Sequence, residues 1–120
     1  MEKSDAVVAL AALSQTSRLD IFRLLVRAGR EGRAAGHIGK RLSLPSATLS
    51  FHLNQLKQAG LVSVRRDGRS LIYAADFAAM NGLIGYLTEH CCGGDPAECG
   101  VAPGVCDPST GATIKNRAGA

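Results

Sequence analysis

Apolar residues recur along the chain at two different spacings, one helical and one extended. Leu49, Leu53 and Leu56 fall at i, i+4 and i+7, the period of an amphipathic helix. They predict a helix over residues 46–59, stopped by Gly60. Upstream, residues 6–13 are a run of apolar helix formers without a breaker, so this helix has several faces to cover. Ser14, Gln15, Thr16 and Ser17 interrupt it. Ser17 followed by Asp20 fits a capping box in its broad form, and Leu19, Phe22, Leu25 and Val26 carry the next helix to about Ala28 and Gly29. Residues 29–33 read as a loop. A short helix over 34–42 places Ile38 and Leu42 on one face and Lys40 and Arg41 on the other. Pro45 then pushes the residue before it out of the helical region. A short helix, a tight turn and a longer helix make a helix-turn-helix.

Beyond Gly60 the period changes to two. Residues 61–66 alternate, Asp67 and Gly68 offer a two-residue turn, and residues 69–73 alternate again. The result is a hairpin with Arg65, Arg66 and Arg69 crowded at its tip. Residues 76–90 read as a final helix with Phe77, Met80, Leu83, Ile84 and Leu87 apolar. Gly82 and Gly85 weaken it by about 1 kcal/mol each relative to alanine. From Cys91 onward glycine, proline and small residues dominate, a composition that buries no core and predicts a flexible tail unless a ligand orders it. The expected class is mainly α with a β-hairpin, a winged helix-turn-helix over residues 1–90, followed by a cysteine-bearing tail over residues 91–120.

The side of the 46–59 helix opposite its leucines carries Ala47, Phe51, Asn54 and Gln58, flanked by Thr48, Ser50, Gln55 and Lys57. A solvated face is ordinarily laced with Glu and Lys pairs. Amides and hydroxyls without carboxylates suit a helix that enters a polyanionic groove and meets base edges. Ser46, Thr48, Ser50, Phe51, Asn54, Gln55 and Lys57 are therefore candidate contacts to double-stranded DNA, and Arg65, Arg66 and Arg69 candidate contacts to phosphate. Charge agrees with a polyanionic partner: the chain has 14 Lys+Arg against 10 Asp+Glu and a pI of about 9.1. Twelve of the basic and seven of the acidic residues lie at or before His90. No apolar run reaches the length of a membrane span, and residues 1–5 do not open a signal peptide. A cytoplasmic chain with reduced thiols is expected.

Four segments in this order, Arg18-Leu19-x-Ile21, Ser50-x-His52-Leu53-x-x-Leu56, Ala59-Gly60-Leu61-Val62 and Arg65-Arg66-Asp67-Gly68-Arg69-x-x-x-Tyr73, together resemble the ArsR/SmtB family of bacterial metal-sensing repressors, over roughly residues 5–90. The resemblance implies a homodimer joined through the first and last helices. It also implies repression, in which the free dimer holds an operator and an inducer releases it. One common sensor site of the family needs cysteines on the helix before the recognition helix; residues 34–39 contain none. A second, for zinc, uses Asp and His along the final helix. Here Asp76 is present, position 78 is alanine, and only Glu89 and His90 follow late in the helix. His37 is expected to be exposed and His52 to sit beside the core.

All four cysteines lie in the tail, at positions 91, 92, 99 and 106. Thiolates select soft, thiophilic ions. Trivalent arsenic takes three thiolates in a pyramid, and Cys91, Cys92 and Cys99 form the shortest set of three. The arrangement is similar to that of ArsR proteins that bind arsenite through a vicinal cysteine pair just past the final helix and a third cysteine downstream. As(III) is thus the expected inducer, with no organic cofactor. Antimonite, the operator sequence, a part for Cys106 and the chain origin of the three thiols stay open. No Cys-x-x-Cys step occurs, which argues against a structural zinc knuckle. A redox- or sulfur-responsive repressor, and a zinc, cadmium or lead sensor of the same fold, are the alternatives. A thiol enzyme is not expected: Cys91 and Cys92 follow a helix C-terminus, where the dipole raises a thiol pKa, and no phosphate loop or cofactor motif accompanies them.

Overall fold

The computed structural model describes residues 1–94; Cys99 and Cys106 lie outside the described residues. The described chain divides into two units, one formed by residues 2–80 and one by Met1 with residues from 81 on. The first contains α1 (Lys3–Leu13), α2 (Thr16–Ala28), a 3-10 turn (Gly29–Glu31), β1 (Arg33–Ala34), α3 (Ala35–Leu42), α4 (Ser46–Gln58), β2 (Val62–Asp67) and β3 (Ser70–Ala75). Helix α5 (Phe77–Thr88) begins in this unit and continues into the other, where a second 3-10 turn (Cys91–Gly94) follows it.

The core of the first unit is built from the stripes that the periodicity picks out. Ile21 and Leu25 of α2, Ile38 of α3, Leu53 and Leu56 of α4, and Leu61 are almost wholly removed from solvent. Each such side chain contributes roughly 1.5–3 kcal/mol of burial energy. Helix α1 turns Ala6, Ala9 and Ala12 inward and leaves Val7, Val8 and Leu10 exposed. Small residues face the core because α1 packs closely on α2 and α4.

Three local features differ from the pattern expected. The residues expected to be a loop contain β1, which pairs Arg33 with Tyr73 and Ala34 with Ile72, so the hairpin becomes a three-stranded antiparallel sheet in the order β1-β3-β2. Helix α2 starts earlier than Ser17: Gln15 is its N-cap, and the Gln15 carboxamide oxygen accepts the Arg18 N–H at 2.9 Å. The hairpin turn lies one residue later than expected. Asp67 pairs with Ser70, so Gly68 and Arg69 are the loop, with φ +63° at Gly68, the φ pattern of a type II′ turn. The cap of α5 is Asp76, whose carboxylate accepts the Ala79 N–H at 2.9 Å.

Two glycines flank the first 3-10 turn with nearly the same backbone. Gly29 has φ 75°, ψ −162°, and Gly32 has φ 74°, ψ −169°, a region that only glycine occupies comfortably. Their surroundings differ. A Cβ at Gly29 would meet open space, whereas one at Gly32 would collide with the Tyr73 carbonyl and press on the Ala74 Cβ at 3.1 Å. Gly32 is what lets β1 lie against β3. Gly29→Ala should cost about 1–3 kcal/mol from backbone strain alone, and Gly32→Ala clearly more, because the clash adds to the same strain. Thermal unfolding of both variants checks this; equal losses would contradict it.

Candidate nucleic-acid interface

Helix α4 is held by burial of one side. Leu49, His52, Leu53 and Leu56 are buried, and with their directions settled the other side must face out. Ser46, Ala47, Thr48, Ser50, Phe51, Asn54, Lys57 and Gln58 are exposed, and Gln55 is half-buried. Phe51 is 57% exposed although it is a large apolar ring in the middle of this polar face. Its ring meets that of His52 edge-on at 5.6 Å. No side chain caps the helix at Pro45, so the first-turn amides are donors available to an anion.

The turn before α4 is as tight as the helix-turn-helix reading requires. Ser43 takes the left-handed conformation at φ 55° and closes α3, and the Leu44 N–H donates back to the Gly39 carbonyl at 2.9 Å. A Cβ at Gly39 would stand 3.2 Å from both the Leu44 oxygen and Leu49 Cδ2. Glycine at this position therefore sets how closely α3 and α4 approach.

On the hairpin, Arg65, Arg66 and Arg69 are all exposed, but they are not equivalent. The Arg65 guanidinium donates to the Glu31 carbonyl at 2.9 Å, which ties β2 back to the first 3-10 turn. Arg66 pairs across from Leu71, which is 43% exposed, and Arg69 occupies the turn itself. Lengthwise, the exposed surface runs from α4 to a basic tip.

Cys91 and Cys92 open the 3-10 turn after α5, both half-buried, with φ 57° at His90 and 58° at Cys92. Desolvation pushes the Cys91 thiol up, and so do a hydrogen bond with the Cys92 side chain and the charge of that neighbour. Among the described residues, no three His, Cys, Asp or Glu side chains come together as a metal-binding group. Asp76 serves as the α5 cap, a structural role for the one acidic residue that a zinc site on the final helix would have used.

Residues 13–65 match the model of a helix-turn-helix domain family. The HTH-type transcriptional regulator YgaV of Escherichia coli (strain K12) is 30% identical over 87 residues, covering 72% of this chain and 86% of that protein. An ArsR-like transcriptional regulator from Rhodococcus sp. RHA1 superimposes with a TM-score of 0.62 at 31% identity, covering 70% of this chain and 76% of the other. This chain belongs to the ArsR-like family of winged helix-turn-helix transcriptional regulators. The homodimeric winged helix-turn-helix DNA-binding domain of Mb0332 from Mycobacterium bovis, a possible ArsR-family regulator, gives a TM-score of 0.58 at 28% identity, over 72% of this chain and 81% of that one. Two further relatives are matched over 58% and 63% of their own length. YgaV and the Rhodococcus protein are transcriptional regulators, and by its family this ArsR-type chain is one too. None of its described helices is long and apolar enough to cross a membrane.

One buried polar contact of this regulator was not legible in its sequence. His52, 7% exposed, places its Nδ1 3.2 Å from an Arg18 guanidinium nitrogen, and Arg18 Nε donates to the Ala12 carbonyl at 2.8 Å. A guanidinium only donates, so Nδ1 accepts and the imidazole proton sits on Nε2. The contact links the end of α1, the first turn of α2 and the middle of α4. Desolvation holds the His52 pKa below its ordinary value, and the Arg18 charge adds to this. The unfolded chain takes up a proton near pH 6.5 that the folded chain refuses. Stability should therefore be full above about pH 6.5 and fall as the pH drops toward the folded pKa. Denaturant unfolding at about pH 7.5 and 5.5 should show this loss in the wild type and a smaller one in His52→Gln; an unchanged pH dependence in the variant would assign the loss elsewhere.

Proposed function

We propose that this regulator is a dimeric repressor that holds double-stranded operator DNA and releases it when arsenite binds Cys91, Cys92 and Cys99. The observation that carries the inducer assignment is the pair of adjacent, half-buried thiols shortly after α5. Arsenous acid exchanges its hydroxyls for thiols with loss of water, so the step needs no oxidant or reductant. Cys91 and Cys92 supply two donors from one turn, and Cys99, outside the described residues, supplies the third. The dimer reading is supported by exposed apolar side chains on two helices, Val7, Val8 and Leu10 on α1 and Ile84 and Leu87 on α5, and by the homodimeric relative.

At the DNA, Ser50, Phe51 and Asn54 read bases, with Asn54 paired to adenine and Phe51 against a thymine methyl. Ser46, Thr48, Gln55 and Lys57 flank them, and Arg65, Arg66 and Arg69 take phosphate. Two such helices must reach major grooves one turn apart, about 34 Å, so a small change in dimer geometry weakens binding. Because only Glu89 and His90 separate the inducer thiols from α5, ordering the turn at Cys91 acts on the end of that helix, whose Ile84 and Leu87 belong to the proposed seam. The coupling is reciprocal, and the DNA-bound dimer binds arsenite more weakly by the same factor.

Base and phosphate contacts separate cleanly in binding assays. Asn54→Ala should cost about 1–3 kcal/mol on the operator and relax its sequence preference. Arg66→Ala should weaken all duplexes alike and flatten the salt slope by about one unit. Unchanged operator preference in Asn54→Ala would show that α4 is placed wrongly in the groove.

Release is tested by titrating an operator complex with arsenite, antimonite, zinc, cadmium and a mild thiol oxidant. Arsenite should release the wild type, whereas Cys91→Ser, Cys92→Ser and Cys99→Ser should hold DNA and not let go. Cys106→Ser should remain inducible. Release by the oxidant alone would favour a redox sensor, and release by zinc or cadmium alone a metal sensor of the same fold.

A further inference from the structure

A cleft on the first unit, lined by none of the residues assigned above, carries a concentration of positive charge that neither the recognition helix nor the hairpin accounts for. Its volume is about 310 Å³, and Arg23 and Arg27 of α2, Arg33 of β1, and His37 and Arg41 of α3 line it together with one carboxylate, Asp20. Arg23 and Arg27 are four residues apart on one helix, and so are His37 and Arg41 on the other, so each pair lies along a single face. The like charges of Arg23 and Arg27 in that arrangement destabilise a helix slightly, and folding alone gives no reason for the two rows to border one cleft. Arg33 is balanced by Glu31 at 3.6 Å. Among the described residues, Arg23, Arg27 and Arg41 have no ion-pair partner.

The position of α3 decides between possible counter-ions. In a helix-turn-helix, the first helix crosses the sugar-phosphate backbone while the second lies in the major groove. Here that first helix is α3, and its Arg41 is both a wall of the cleft and close in sequence to the start of α4. Guanidinium groups are also the side chains best matched to phosphate oxygens, through paired N–H donors. We infer that the cleft between α2, β1 and α3 is a second DNA contact, in which Arg23, Arg27 and Arg41 bind backbone phosphates flanking the segment read by α4. The inference rests on the DNA-binding reading given above and enlarges its footprint. It assigns these arginines to affinity and not to base choice, because phosphate contacts carry no sequence information.

The test compares two double variants of equal net charge, Arg23→Ala/Arg27→Ala in the cleft and Lys3→Ala/Arg30→Ala outside it. Each is titrated against a random-sequence duplex of about 40 base pairs over a range of salt concentrations, with circular dichroism to confirm the fold. The cleft variant should flatten the log K against log salt slope by about two units, one per lost phosphate contact. The control should change it far less, and Arg23→Lys/Arg27→Lys should retain most of the wild-type slope. Equal slopes for the cleft variant and the control would reduce the cleft to general charge and overturn the inference. Calorimetry with pyrophosphate supplies the other arm. Binding by the wild type that the cleft variant loses, with an unchanged DNA slope, would make the cleft a small-anion site and likewise overturn it. If the wild-type chain bound no duplex at all, the DNA-binding reading would fall first and this inference with it; a wild type that binds normally beside an unaffected cleft variant removes the cleft alone.

Discussion

Burial of Leu49, Leu53 and Leu56 fixes the rotation of α4 about its own axis, and the surface offered to DNA follows from that rotation. A helix has only one way to bury three residues at i, i+4 and i+7 against α2, α3 and the sheet. Once it does so, Ser50, Phe51 and Asn54 have no direction left but outward. The hydrophobic effect, which carries no information about a partner, thereby decides which side chains of α4 face solvent. The exposed phenylalanine shows the division most plainly: an apolar ring stays in solvent because its helix position lies opposite the stripe.

Two constraints refine that placement. At Gly39 the Leu44 carbonyl and Leu49 come so close to α3 that a side chain there would make them give way by a few tenths of an ångström. Arg18 then joins three elements through one guanidinium, reaching the Ala12 carbonyl of α1 and the His52 ring of α4. A buried polar pair of this kind is worth having only if it is satisfied, since an unpartnered imidazole in the core would cost more than a packed aliphatic residue. It ties α1, which exposes Val7, Val8 and Leu10, to the middle of α4.

The basic residues fall into three groups with different surroundings. Arg66 and Arg69 extend from the hairpin into solvent, Arg65 is partly spent on the Glu31 carbonyl, and Arg23, Arg27 and Arg41 border the cleft between α2 and α3. Net charge alone describes them as one quantity. Their geometry separates them into groups on the hairpin, at the first 3-10 turn and in the cleft. The thiols belong to a different problem: adjacency gives Cys91 and Cys92 a shared turn, separated from the end of α5 by Glu89 and His90.

What could be read from the residues in order was whatever repeats locally. The period of 3.6 marked α2, α3, α4 and α5, the switch to a period of two marked β2 and β3, and the outward side of α4, polar and free of carboxylates, followed from the positions of its leucines. These signals are strong because a helix or strand face is a property of neighbours within a few turns. Features set by distant partners were invisible. Strand β1 is two residues long and exists because Gly32 lets it meet Tyr73, about forty positions on. Gln15 displaces Ser17 as the cap because the Arg18 amide lies within reach of its longer side chain. The hairpin loop moved from 67–68 to 68–69 because strand pairing, not the Asp-Gly dipeptide, chose the register. The sequence by itself determined the helices, the two hairpin strands and the apolar stripes of α2, α3 and α4; only the tertiary structure decided that β1 would form, that Arg18 would meet His52 and that arginines from α2, β1 and α3 would share one cleft. The physical reason is that periodicity encodes burial, a local preference, while a hydrogen bond or a shared cavity needs two remote segments brought together by everything else that packs.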